Sequence, residues 1–175
     1  MKKRSVLLFL LFVLCQQVSA QRKSLSLGTL FGSSLRQAGF GYGLSLEGYR
    51  SSRHGGAFSL SAGVLRLSDG GIKGDDRTTL LSLQFGYRQQ FHRFYLQPRL
   101  GIGAMNGRID IGGDWARSSV AAFFGTLETG YSPGRFQLGA FLQWTRGIEG
   151  SNAGTWHNRS LPFAGLRLAA YLAGR

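Results

Sequence analysis

The chain has 175 residues, 21 Lys and Arg against 8 Asp and Glu, a formal net charge of +13, 27 glycines and one cysteine. That length suits a single domain. The shortage of acids excludes a helical surface laced with salt bridges, the lone cysteine excludes an intrachain disulfide, and no fixed-period repeat of the solenoid or propeller kind occurs.

Residues 1–20 read as an export signal. Lys2, Lys3 and Arg4 form a basic start, Val6 to Cys15 an apolar stretch, and Val18-Ser19-Ala20 offers small residues before a cut. Cleavage there leaves residues 21–175 as the mature domain, beginning at Gln21, and removes the cysteine with three positive charges. A retained membrane anchor fits less well because the apolar run is short. Acylation of Cys15 fits less well because bulky Leu14 precedes it. No later run is long and apolar enough for a transmembrane helix.

Everything after Gln21 alternates with period two. Leu25, Leu27, Thr29 and Phe31 face away from Ser24, Ser26 and Gly28; Phe40, Tyr42, Leu44 and Leu46 face away from Gly41, Gly43, Ser45 and Glu47. The pattern continues through Phe58 to Val64, Leu81 to Tyr87, Phe94 to Ile102, and Phe136 to Trp144. Such alternation marks half-buried strands. It predicts eight of them, over 24–33, 39–50, 57–67, 78–89, 94–104, 119–131, 136–146 and 161–172. The connections 50–56, 89–93 and 132–135 are short. Those over 68–77, 106–117 and 146–159 are longer and rich in Gly and Asp, and 34–38 is the short member of that side. Short turns at one end and longer loops at the other predict an all-β, eight-stranded antiparallel up-and-down barrel.

The non-apolar face is Gly, Ser and Gln with few Lys or Glu. Water-exposed surfaces are usually about a quarter or more charged, so this face suits a narrow lumen and the apolar face suits lipid. Segments of this length match tilted membrane strands of about 9–11 residues. Tyr87, Phe94, Tyr131 and Phe136 collect at the short-turn end, and Phe40 and Trp144 at the other, as interfacial girdles would.

Parity then turns Glu47, Arg88, Arg99, Glu128 and Arg167 into the lumen. Across the hairpin at 89–93, the expected partners are Arg88 with Tyr95, Gly86 with Gln97 and Gln84 with Arg99. Glu128 is expected opposite Gly139, which leaves its carboxylate room. An unpaired buried charge costs several kcal/mol, and an arginine facing lipid at mid-depth about 2–4 kcal/mol. A mutual salt-bridge and hydrogen-bond network that plugs the barrel avoids both; an ion or proton path is the other reading. Arg66 follows the parity of Val64, so it either snorkels at the outer rim or the phase slips near Leu65. Pro98 lacks an N–H, and a bulge or a missing ladder bond is expected there.

Outside these strands, the acids Asp69, Asp75, Asp76, Asp110, Asp114 and Glu149 fall in the longer loops. The turn end instead carries Arg22, Lys23, Arg50, Arg53, Arg93, Arg135 and Arg175. This basic collar suits anionic headgroups. Its dispersal, without a helix or stacking platform, argues against nucleic acid. The Asp/Gly loops lack the full ligand ladder of a calcium site, so neither a metal nor a cofactor is expected.

The segments GFGYGLSLEGYR (39–50), FYLQPRLGIGA (94–104), FQLGAFLQWTRGIEGS (136–151) and NRSLPFAGLRLAAYL (158–172) give the mature chain its resemblance to small bacterial outer-membrane β-barrel proteins, especially the β-barrel domain family of Bacteroidota. Gln21 directly after the cut also resembles that group. The resemblance implies a monomer in the outer membrane, with membrane lipids and the barrel-assembly machinery as partners. It departs at the end, where Tyr171 is followed by four more residues in place of a terminal aromatic.

Ser151-Asn152-Ala153-Gly154 resembles part of the active-site motif of lipid A deacylases, which place a His two residues before that Ser. Glu149 stands there instead, so the general base is missing. His54, His92 and His157 are scattered over both ends, and no catalytic residue is expected. The expected role is envelope structure, adhesion or protein contact through surface loops. A narrow channel or binding barrel for a small or amphiphilic ligand is the alternative, and a lipid-modifying hydrolase the third.

Overall fold

The computed structural model describes residues 23–35, 39–51, 56–69, 77–111, 114–147 and 160–173. Eight strands run in chain order: β1 (Lys23–Ser34), β2 (Gly39–Ser51), β3 (Gly56–Asp69), β4 (Arg77–Phe91), β5 (Phe94–Ile111), β6 (Asp114–Tyr131), β7 (Phe136–Gly147) and β8 (Ser160–Ala173). Each pairs antiparallel with the next, and β1 closes on β8 to complete a barrel.

Its slant can be followed from residue to residue. Crossing paired positions from Ser24 through Tyr49, Ser59, Gly86, Arg99, Thr126, Gln143 and Phe163 returns to β1 at Ser34, ten residues further along. Eight strands with that stagger tilt by roughly 40° and enclose an interior wide enough only for side chains. Close approach is built in at Gly103, where a Cβ would strike the Leu81 carbonyl of the neighbouring strand.

Polarity is inverted relative to a water-soluble fold. Leu44, Phe85, Leu100, Ile102 and Leu166 are exposed on the outer face, while Gln97, Glu128, Gln137, Thr145 and Arg167 are buried inside. Arg66 lies on the outer face with Leu65 and Leu67 buried on either side, so the phase does not slip. The interior is not polar throughout, as the sequence reading expected. Toward the loop end Leu65, Leu67, Leu80, Met105, Phe124, Phe141 and Phe163 pack together as an apolar cluster.

The strands are longer than their apolar alternation. β5 and β6 run 18 residues each and leave only 112–113 between them, where the sequence suggested a loop over 106–117. Among the described residues, the two strands pair only with each other from Gly107 outward, because β4 reaches β5 at Asn106 and β7 reaches β6 at Ala122. Five residues per strand carry this ribbon roughly 17 Å past the barrel. Asp69, Asp110 and Asp114 therefore stand in strand ends, and Glu47 and Glu128 are not the only strand acids.

Two registers also differ from expectation by two residues. His92 and Arg93 alone form the β4–β5 turn, with His92 at φ 58°, and Phe91 pairs with Phe94. Gly86 therefore faces Arg99, and Gln90 faces Tyr95. Across the next turn Glu128 faces Phe141, and Gly130 faces Gly139. A one-residue slip would turn every side chain to the other face, whereas a two-residue slip preserves the faces and changes only the partners.

At Pro98 the β4–β5 ladder loses two successive pairs, Tyr87 with Pro98 and Arg88 with Gln97, then resumes in the same register. The missing N–H accounts for this without a bulge, and it leaves the Tyr87 carbonyl without its ladder donor. Pro98→Val should restore that bond and raise the stability of the folded barrel by about 1 kcal/mol in urea titrations; an unchanged midpoint would show the carbonyl to be satisfied already.

Candidate functional site

Four charged side chains meet inside the barrel on strands far apart in sequence. Glu47 comes from β2, Arg99 from β5, Glu128 from β6 and Arg167 from β8. Arg99 reaches Glu47 at 3.2 Å and also pairs with Glu128. Arg167 reaches Glu47 at 3.0 Å and Glu128 at 3.2 Å. Each guanidinium thus bridges both carboxylates, giving a ring of alternating sign. Both glutamates are fully buried.

The remaining lone pairs and N–H groups of the ring are largely met. Tyr49 donates to Glu47 at 2.7 Å, Tyr95 donates to Glu128 at 2.6 Å, and the Gln97 amide donates to Glu47 and to Ser59. Arg167 donates to Ser45, Gln137 and Ser26 at 3.1–3.3 Å. Backbone geometry makes room for this: a Cβ on Gly139 would meet the Glu128 carboxylate at 2.7 Å. The space expected from Gly139 is present, but diagonally and not across the ladder.

Arg88 joins differently. It is buried and donates to the Tyr171 hydroxyl at 3.1 Å, and its guanidinium lies 3.6 Å from the Tyr95 ring centroid and 5.0 Å from that of Tyr49. It makes no carboxylate pair among the described residues, so its charge is met by aromatic faces, not by an ion pair as expected. Its Nε and Nη2 have no partner. With Arg88, Ser26, Ser59 and Gln137 included, all eight strands contribute to one polar network.

The six aromatic residues expected at the interfaces, Phe40, Tyr87, Phe94, Tyr131, Phe136 and Trp144, occupy the outer face. Phe94 and Tyr131 pair across β5 and β6 with ring centroids 5.2 Å apart, and Arg93 donates to the Tyr131 hydroxyl at 3.2 Å. Tyr87 packs edge-on against Phe58, and Phe136 is exposed at the same end. Phe40 and Trp144 are exposed toward the loop end. Phe58, Phe91 and Tyr42 extend these bands beyond the residues picked from sequence. Tyr49 was also missed; its signal was its parity with Glu47, two residues before it. His54, His157, Glu149 and Ser151–Gly154 lie outside the described residues.

The fold is shared with solved structures of low identity. The N-terminal β-barrel domain of Pseudomonas aeruginosa OprF matches with a TM-score of 0.61 and 15% identity, covering 87% of this chain and 98% of that one. Ail, the attachment invasion locus protein of Yersinia pestis, matches with a TM-score of 0.59 and 13% identity over 87% of this chain and 99% of that one. The outer membrane enzyme PagL matches with a TM-score of 0.53 and 17% identity over 83% and 98%. No protein-family model matches the chain, and no curated protein matches it significantly. Likeness to barrels from Pseudomonas and Yersinia does not single out Bacteroidota.

Removing one partner from a buried ion pair typically costs about 3–5 kcal/mol. Glu128→Gln should destabilise the folded barrel by that order in urea titrations. Glu128→Gln combined with Arg167→Gln should cost less than the two single changes added together, because they share one network. Simple additivity would show that the ring is not coupled.

Proposed function

We propose that the mature chain, residues 21–175, is a monomeric integral outer-membrane barrel with a plugged lumen. In this reading residues 1–20 export it, the barrel-assembly machinery inserts it, and it works through its loop end in envelope structure, adhesion or protein contact. The observation that carries the reading is the combination of an apolar outer face with a filled, charged interior. Leu100, Phe94 and Phe136 are 75%, 62% and 61% exposed. Soluble monomers rarely leave large contiguous apolar patches in water, whereas lipid solvates them. Closure of the sheet satisfies the backbone, as hydrocarbon requires.

The plug rests on the four-charge ring and on the apolar cluster stacked beyond it. Lipid contact is supported at both rims. Arg93 and Arg135 are exposed at the turn end, where attraction to anionic headgroups is worth about 1 kcal/mol per residue. Arg66 and Arg146 are exposed on the outer face near the loop end, within reach of the opposite headgroups.

The β5–β6 ribbon supports a contact role, since it holds backbone well clear of the barrel. Ail, of like fold, has been solved with the heparin analogue sucrose octasulfate, which makes adhesion a use to which such a barrel can be put. PagL shows that the fold also serves an enzyme, so the non-enzyme reading rests on Glu149 standing where the deacylase motif has histidine. A narrow channel or ligand-binding barrel remains the alternative function.

In cell fractionation the chain should follow the outer membrane, and recovery in the soluble periplasm would overturn the membrane reading. In planar bilayers it should show no steady conductance. A steady conductance that Arg99→Ala leaves unaltered would overturn the plug.

A further inference from the structure

Between the ion-pair ring and the apolar cluster lies a cavity of about 30 Å³. That is room for about two water-sized groups. Arg99 and Arg167 line it from the ring, and Leu65, Leu80 and Phe141 from the cluster. Among the polar groups between them, Thr126 donates to the Gln84 amide oxygen at 2.8 Å, but several other donors are used below capacity. Arg99 Nε is buried with no acceptor. Ser61 donates to the Gln84 carbonyl only at 3.4 Å, Ser45 to the Gly28 carbonyl at 3.5 Å, and Gln143 to Thr145 at 3.4 Å. These lie at the outer limit of hydrogen bonding, well beyond the usual 2.7–3.0 Å or so. No carboxylate lines the cavity. Among the described residues the lumenal charges are also unequal: three arginines, Arg88, Arg99 and Arg167, against two glutamates.

We propose that this cavity is a binding site for a small monovalent anion of halide size. The two guanidiniums exclude a cation. The volume, about that of two water-sized groups, matches a halide better than phosphate, sulfate or an organic carboxylate. An acceptor placed there would take the Arg99 Nε–H and draw in the Ser45 and Ser61 hydroxyls. Its negative charge would also offset the charge of Arg88, which lies across the ring against the Tyr49 and Tyr95 faces with no carboxylate partner among the described residues. The anion is held and not conducted, so the site is distinct from a channel and does not depend on which cell surface the loops meet.

The test uses the full mature chain folded in detergent. Crystals grown in bromide should show an anomalous peak in the cavity beside Arg99 Nε. The thermal unfolding midpoint should be higher in bromide or chloride than in gluconate at equal ionic strength, by about 3–6 °C at tenfold excess over the Kd. Arg99→Lys keeps the charge but removes the Nε donor, and should lose the shift. Ser61→Val narrows the cavity and leaves the ion-pair ring intact. It should fold to the same heat-modifiable form while losing both the shift and the peak. A cavity holding only water in the bromide crystals would overturn the proposal, and so would a halide shift that persists undiminished in Ser61→Val. Halide binding without conductance would support the anion site and the plug together; halide binding with steady conductance would support the site and sink the plug.

Discussion

The structure depends on the pairing of two carboxylates with two guanidiniums inside a space that admits only side chains. Glu47 and Glu128 are fully buried, and Arg99 and Arg167 touch both. Each charge is worth burying only while the other three stay in place. The ring therefore ties β2, β8 and the β5–β6 pair to one another across the barrel, where no backbone bond could. Tyr49, Tyr95, Gln97 and Gln137 bring further neighbours into the same network. Register follows from this: a slip of one residue in β6 would send Glu128 out into an apolar face and leave Arg99 and Arg167 each short of a partner.

Accommodating the ring shapes the backbone around it. Gly139 has no side chain because the Glu128 carboxylate and the Tyr95 hydroxyl occupy the space where one would begin. On the turn side of the ring, Arg88 stacks between Tyr49 and Tyr95, just where Pro98 interrupts the β4–β5 ladder. The least satisfied polar groups and the weakest stretch of sheet thus lie side by side. On the loop side the interior changes character, and leucines and phenylalanines fill it. The interior is two layers in series, one ionic and one apolar, with the small cavity at their junction.

Much of this was legible in the alternation of single residues. Parity assigned Arg99 and Glu128 to one side of the sheet and Leu100 and Leu127 to the other, because successive side chains on a strand point oppositely. It left Arg66 open between the outer rim and a break in phase, and the structure settles this: Arg66 points outward with Leu65 and Leu67 buried on either side. Parity could not rank partners. Arg88, Arg99 and Arg167 look alike in sequence, yet among the described residues only the last two reach carboxylates, since pairing depends on turn length and on the stagger between strands. The short connection at His92-Arg93 was hidden by its polar neighbours Gln89 and Gln90, which continue the ladder. The apolar cluster was hidden for a related reason: Leu65, Leu80 and Phe141 sit on the face otherwise occupied by Ser, Gln and Gly, and a few apolar residues there do not disturb a period-two pattern.

The sequence by itself determined that strands form, that there are eight, which residues share each face, and that charge goes with the small polar face. Those properties are local, set by the two-residue repeat of a strand and by the cost of placing a charge among apolar groups. Only the tertiary structure decided how far the strands run, which charges pair, where the lumen turns apolar and where a cavity remains. Those properties depend on the ten-residue stagger of a closed sheet, which brings Glu47 beside Arg167 across 120 residues of chain and has no counterpart in any local pattern.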